Sequence, residues 1–135
     1  MQIEERVELA KLRLTNAEEC VSDAEFAFEA GRLKTCANRS YYAMFYAARA
    51  LLALEKIDFK RHSTLIGYFN QHYVATGKIE KQYHEMLSDA FEVRQQSDYN
   101  DFYVVSRDDA KIQLDNAVKF IGFLKETWLN FDISD

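Results

Sequence analysis

The chain has 135 residues, no proline and four glycines, where average usage predicts roughly 7 and 9. Sandwiches, barrels and hairpins need Gly and Pro turn chemistry every few residues, so an all-α single domain spanning residues 1–135 is expected. The 48% hydrophobic and 29% charged content excludes a disordered or low-complexity chain. A net charge of −5 argues against a broad basic face for nucleic acid or acidic membrane, leaving room only for a small basic site.

The first predicted helix carries Ile3, Val7, Ala10, Leu14, Ala17, Val21, Ala24 and Phe28 at alternating four and three spacing, a bundle seam. Gly31 supplies its stop near residue 30. The second, residues 33–56, is apolar on more than one face. Ala37, Tyr41, Met44, Ala48 and Leu51 form one row, Tyr42, Phe45 and Leu52 another, so it belongs at the centre of the fold. Its greasiest stretch, from Tyr41 to Leu54, would span about 21 Å, short of the roughly 30 Å of a bilayer core. Only Arg49 interrupts it, Arg39 preceding it on the same helix, and each arginine is expected to pair with a carboxylate or backbone carbonyls.

A third, shorter helix is predicted over residues 63–73, with Gly77 closing that region. The fourth, over residues 79–96, repeats the four-three spacing through Ile79, Tyr83, Met86, Ala90 and Val93. The fifth starts after Ser106, an N-cap followed by Asp108 and Asp109, and runs to Trp128. Residues 97–105 show no helical period and are expected to be irregular. The result is an up-down four-helix bundle with one additional short helix.

Cys20 and Cys36 have neither metal-ligand nor disulfide spacing and read as reduced packing residues, consistent with a cytoplasmic setting. His62, His72 and His84 show no ligand pattern either, and no metal or cofactor is expected. Only folding can bring a histidine beside Arg94, because His84 lies ten residues upstream, about 15 Å along the same helix.

The run Asn38-Arg39-Ser40-Tyr41-Tyr42-Ala43-Met44-Phe45-Tyr46, with Arg61-His62-Ser63, the stretch from Phe69 to Gly77, and Arg94-Gln95-Gln96-Ser97-Asp98-Tyr99, resembles the small stand-alone prokaryotic members of the HEPN family. The resemblance covers residues 5–128. It implies a helical bundle that forms a homodimer and acts beside a minimal nucleotidyltransferase as a toxin and antitoxin pair. Many such relatives are metal-independent ribonucleases with an Arg-x(4–6)-His motif. Arg94 matches the arginine, but Tyr99 stands where the histidine falls.

That departure bears on the chemistry. RNA cleavage requires a base for the 2′-hydroxyl and a cation for the phosphate charge that develops. A guanidinium at Arg94 suits the second role. A tyrosine hydroxyl, with an ordinary pKa near 10, is a poor base at pH 7. Asp98 is the alternative base, but an ordinary carboxylate is weak unless burial raises it. With Arg94, Asp98 and Tyr99 as the only catalytic candidates, slow or absent ribonuclease activity is expected. Arg39, Asn38 and Ser40 are candidates to extend a phosphate cleft for nucleotide or RNA. In some relatives the partner enzyme adds AMP to a tyrosine near the motif, and Tyr99 and Tyr103 are the matching acceptors. Two other readings stay open: a catalytically silent protein-interaction module, and an active endoribonuclease. The carboxylates Asp89, Glu92, Asp98, Asp101, Asp108 and Asp109 outnumber Arg94 and Arg107, so RNA meets a repulsive rim unless a dimer partner brings cations.

Overall fold

A computed structural model describes residues 2–131, and over this span the chain is all-α. Five helices follow in order: α1 (Ile3–Glu29), α2 (Leu33–Ala53), α3 (His62–Phe69), α4 (Lys81–Tyr99) and α5 (Arg107–Thr127). The last turn of α3 widens into a π-helical turn over Asn70–Val74, closed by a bond from the Ala75 amide to the Asn70 carbonyl. None of these helices is long and apolar enough to cross a membrane.

The central position expected for α2 holds. It packs against α1, α3, α4 and α5, and Tyr41, Met44, Leu51 and Leu52 are among its fully buried side chains. Ridges of alanine on α1 (Ala10, Ala17, Ala24) and on α2 (Ala43, Ala47, Ala50) are buried throughout. Small residues facing one another let two helix backbones approach closely, and aromatic rings then fill the wider gaps at the bundle ends. Phe69, Tyr73, Tyr83 and Phe120 do this between α3, α4 and α5. At the start of the α1 seam the expectation fails, because Ile3 is left exposed one turn before the helix meets its neighbours.

The turns follow their residues. Gly31 and Gly77 take positive φ, +75° and +82°, the left-handed region that L side chains avoid. Ser106 caps α5 by accepting from the Asp109 amide at 3.0 Å. Expected boundaries need correction: α2 ends at Ala53, three residues before the expected 56, and α4 does not stop at residue 96 but continues through Ser97 and Asp98 to Tyr99. Ser97 is buried and sits four residues after Val93, on the same seam, with its hydroxyl donating back to the Arg94 carbonyl at 3.4 Å. A small polar residue thus carries the helical period that apolar residues carried before it. The irregular segment begins only at Asn100.

Arg49 pairs as expected. Its guanidinium donates to both oxygens of Asp58, at 3.1 and 2.8 Å, and Arg13 of α1 donates to the same carboxylate at 3.1 Å. This triad pins the segment between α2 and α3 onto the bundle and so sets where α3 begins.

Candidate functional site

Extending α4 by one turn places Arg94 and Asp98 on a single helix face. Arg94 Nε lies 2.9 Å from Asp98 Oδ2, yet the contact is not aligned as a hydrogen bond. Nη1 donates only to Gln95 Oε1, at 3.3 Å. The Arg94 side chain is 18% exposed, and its guanidinium lies over two tyrosine rings, with Cζ 5.5 Å from the Tyr42 centroid and 5.9 Å from that of Tyr99. Cations bind aromatic faces at such distances.

Tyr42 receives a second cation. Arg39, one turn earlier on α2, places Cζ 5.1 Å from the same ring. Nε and Nη2 both donate to Asn38 Oδ1, at 3.0 and 2.8 Å, and Nη1 approaches Cys20 Sγ. A neutral amide therefore orients this guanidinium without cancelling its charge. The carboxylate partner expected for Arg39 is not found among the described residues. Ser40 departs from the expected cleft: it is fully buried, because a residue one step from Arg39 is turned about 100° around the helix toward the core.

Folding also brings in a residue that the spacing along the chain did not reveal. His62, in the first turn of α3, stacks on Phe45 with centroids 4.1 Å apart and meets Tyr42 edge-on at 5.7 Å. Its Nδ1 lies 2.7 Å from the Tyr41 hydroxyl. Burial first, then the charges of Arg94 and Arg49, hold the imidazole below its ordinary pKa. Burial also pushes the Tyr41 hydroxyl well up, so it stays protonated. Beside this cluster a cavity of about 300 Å³ is lined by Tyr42, Tyr46, Arg49, Asp58, Lys60 and His62. The sequence signal was Arg61-His62-Ser63 among the blocks of the family resemblance, without a role attached to it.

The two tyrosines proposed as AMP acceptors differ in setting. Tyr99 is 74% exposed, whereas Tyr103 packs on a second apolar cluster built around Val105, Ala110 and Leu114. No group of three or more metal-ligating side chains occurs among the described residues.

Chemically, the site offers two guanidiniums on one aromatic platform, with a neutral imidazole at its edge. Paired guanidiniums suit the oxygens of a phosphodiester, and a partly exposed ring such as that of Tyr46 suits an unpaired base.

The chain is 32% identical to the "UPF0332 protein" of Thermotoga maritima, over 82% of its own length and 83% of the relative's. It is 36% identical to the "UPF0332 protein" of Archaeoglobus fulgidus, over 82% and 88%. It is also similar to the "Putative toxin MJ0142" of Methanocaldococcus jannaschii, 26% identical over 98% of this chain and 90% of that one. The family described as HEPN domain matches residues 10–127, nearly the whole bundle from mid-α1 to the end of α5, and the chain belongs to the HEPN domain family.

Proposed function

We propose that this chain is the toxin-like, RNA-binding component of a two-protein system, with a minimal nucleotidyltransferase as its counterpart. The observation that carries the reading is the convergence of Arg94 and Arg39 on Tyr42, with Arg39 held by an amide and not by a carboxylate. The similarity to the protein named "Putative toxin MJ0142" supports the toxin-like part. In this reading the guanidiniums over Tyr42 hold the phosphodiester, and Tyr46 beside them offers its ring to an unpaired base. A fluorescence titration with a labelled single-stranded oligoribonucleotide tests it. Arg39→Ala and Arg94→Ala should each weaken binding about tenfold, the value of one to two charge-assisted phosphate contacts. Wild-type affinity in both variants overturns the reading.

A second reading, docking of a protein partner, is favoured by the segment joining α4 to α5. Tyr99, Phe102 and Val104 are 74%, 94% and 81% exposed, beside the Arg94 site. Exposed apolar groups of this size commonly mark interaction surfaces, and we assign this one to a second copy of the chain or to the nucleotidyltransferase. Within such a pair Tyr99, the more accessible hydroxyl, is the AMP acceptor. Intact-mass measurement after co-expression with a neighbouring nucleotidyltransferase should show one adenylyl adduct, absent from Tyr99→Phe. An unmodified wild-type mass counts against this assignment.

A further inference from the structure

In the turn that follows Arg94 no side chain is free to accept a proton, since Asp98 is turned to Arg94 and Tyr99 is a phenol. His62 stands across the platform, its ring edge-on to the Tyr42 ring over which both guanidiniums lie. Its stacking on Phe45 fixes the plane of the imidazole, and the Tyr41 hydroxyl fixes its rotation. Nδ1 makes the ring's one hydrogen bond among the described residues, leaving Nε2 without a protein partner on a side chain that lines the cavity beside Tyr42 and Tyr46.

We propose that His62, carried by α3 and not by the Arg94 helix, accepts the proton of a ribose 2′-hydroxyl in single-stranded RNA bound at this platform. The assignment rests on Arg94 and Arg39 holding the phosphodiester. His62 Nε2 takes the hydroxyl proton, and O2′ bonds to the adjacent phosphorus as the bond from phosphorus to O5′ breaks. The leaving 5′-oxygen takes a proton from solvent water, and the imidazolium returns its own to solvent. The products are a 2′,3′-cyclic phosphate and a 5′-hydroxyl end, with water as the sole co-reactant. Arg94 and Arg39 meet the charge that develops on the phosphate oxygens.

The protonation states suit this role. A hydroxyl is both donor and acceptor, so Tyr41 can receive Nδ1–H and leave the Nε2 lone pair free. The groups facing the imidazole are Tyr41, Tyr42 and Arg49 from α2 and Arg94 from α4, with Asp58 and Lys60 from the segment before α3. Burial first, and then the charges of Arg94 and Arg49, with Asp58 already engaged by two arginines, favour the neutral imidazole. Single-stranded RNA, whose unpaired bases can be splayed out beside such a cavity, is the substrate form this arrangement suits.

The full-length protein tests this with an unpaired oligoribonucleotide and its 2′-deoxy counterpart as the uncleavable control. Wild type should release cyclic-phosphate ends from the RNA only, with a rate that falls on the acid side as His62 protonates. His62→Gln should bind within about twofold of wild type and cleave about a hundredfold more slowly or less, the low end of what a proton-transfer group contributes. Tyr41→Phe, which keeps the ring in the core, should retain binding and move the acid limb of the rate profile, as befits a positioning residue. If His62→Gln loses helicity by circular dichroism, Tyr41→Phe alone decides, and an unchanged pH profile overturns the assignment. Wild type that binds but does not cleave, or His62→Gln that cleaves normally, also overturns it while the binding reading stands. Wild type that does not bind overturns both.

Discussion

At the scale of single residues, the arginines of the core helix divide by what neutralises them. Arg49 shares Asp58 with Arg13 across three parts of the chain, whereas Arg39 meets only an amide and an aromatic face. The first is a structural tie. Burial pushes the Asp58 carboxyl up, but the Arg49 hydrogen bonds and the charges of Arg13 and Arg49 outweigh it and hold the group below its ordinary value. A depressed carboxyl contributes stability that is present above its unfolded pKa, near 3.9, and is lost as pH falls through the folded value. Asp58→Asn should therefore cost about 1 kcal/mol at pH 7, the half-exposed carboxylate moderating the loss. Urea unfolding should show the gap from wild type narrowing below about pH 4; a gap that persists in acid would assign the effect to packing. His62 teaches the complementary lesson about legibility. Its part in the site depends on α3 docking beside α2, a contact between residues 21 apart in the chain, and no spacing rule along one helix can reveal it. Arg94 and Asp98, four apart on one helix, were legible for that same reason.

Elements were more legible than their ends. The four-three seams located α1 and α4 because burial on one face leaves a periodic trace, and the glycine stops held because positive φ is a local demand that sequence must meet locally. The end of α4 escaped because Ser97 carries the seam with a hydroxyl in place of an alkyl group. The π-helical turn at Asn70–Val74 escaped because one inserted residue leaves the apolar positions around it nearly in place. Glycine makes the element-scale logic testable, since one substitution should have opposite signs at two positions. Gly31 has φ +75° with open space around an added Cβ, so Gly31→Ala meets backbone strain alone and should destabilise by about 1–2 kcal/mol. Gly67 lies within α3, equally unobstructed and on an exposed face, so Gly67→Ala should stabilise by about 0.5–1 kcal/mol. Thermal unfolding of the two variants compares them directly. A shift of the same sign in both would mean that backbone conformation does not set these boundaries.

For the whole molecule, charge decides what kind of nucleic-acid contact is available. A chain with net charge −5 does not gather RNA by a general field, so affinity must come from the few cations that the fold concentrates. Arg39 and Arg94 share Tyr42, and Lys60 lies on the adjoining cavity, while Asp101 lies in the α4–α5 connection with Asp98 and Asp108 in the helix turns that flank it. Each phosphate neutralised on a single strand contributes about −0.7 to the slope of log K against log salt. Two or three such contacts predict a slope of roughly −1.4 to −2 per chain, far shallower than that of a protein that wraps its ligand in basic surface. In the same titration that compares the arginine variants, Arg39→Ala should flatten the slope by about 0.7, because its charge faces the phosphate uncompensated. Arg94→Ala should flatten it less, because in wild type part of the Arg94 charge is already met by Asp98 at 2.9 Å before any phosphate arrives. A steep slope in wild type, or one untouched by Arg39→Ala, would place the RNA contact on some other face of the bundle.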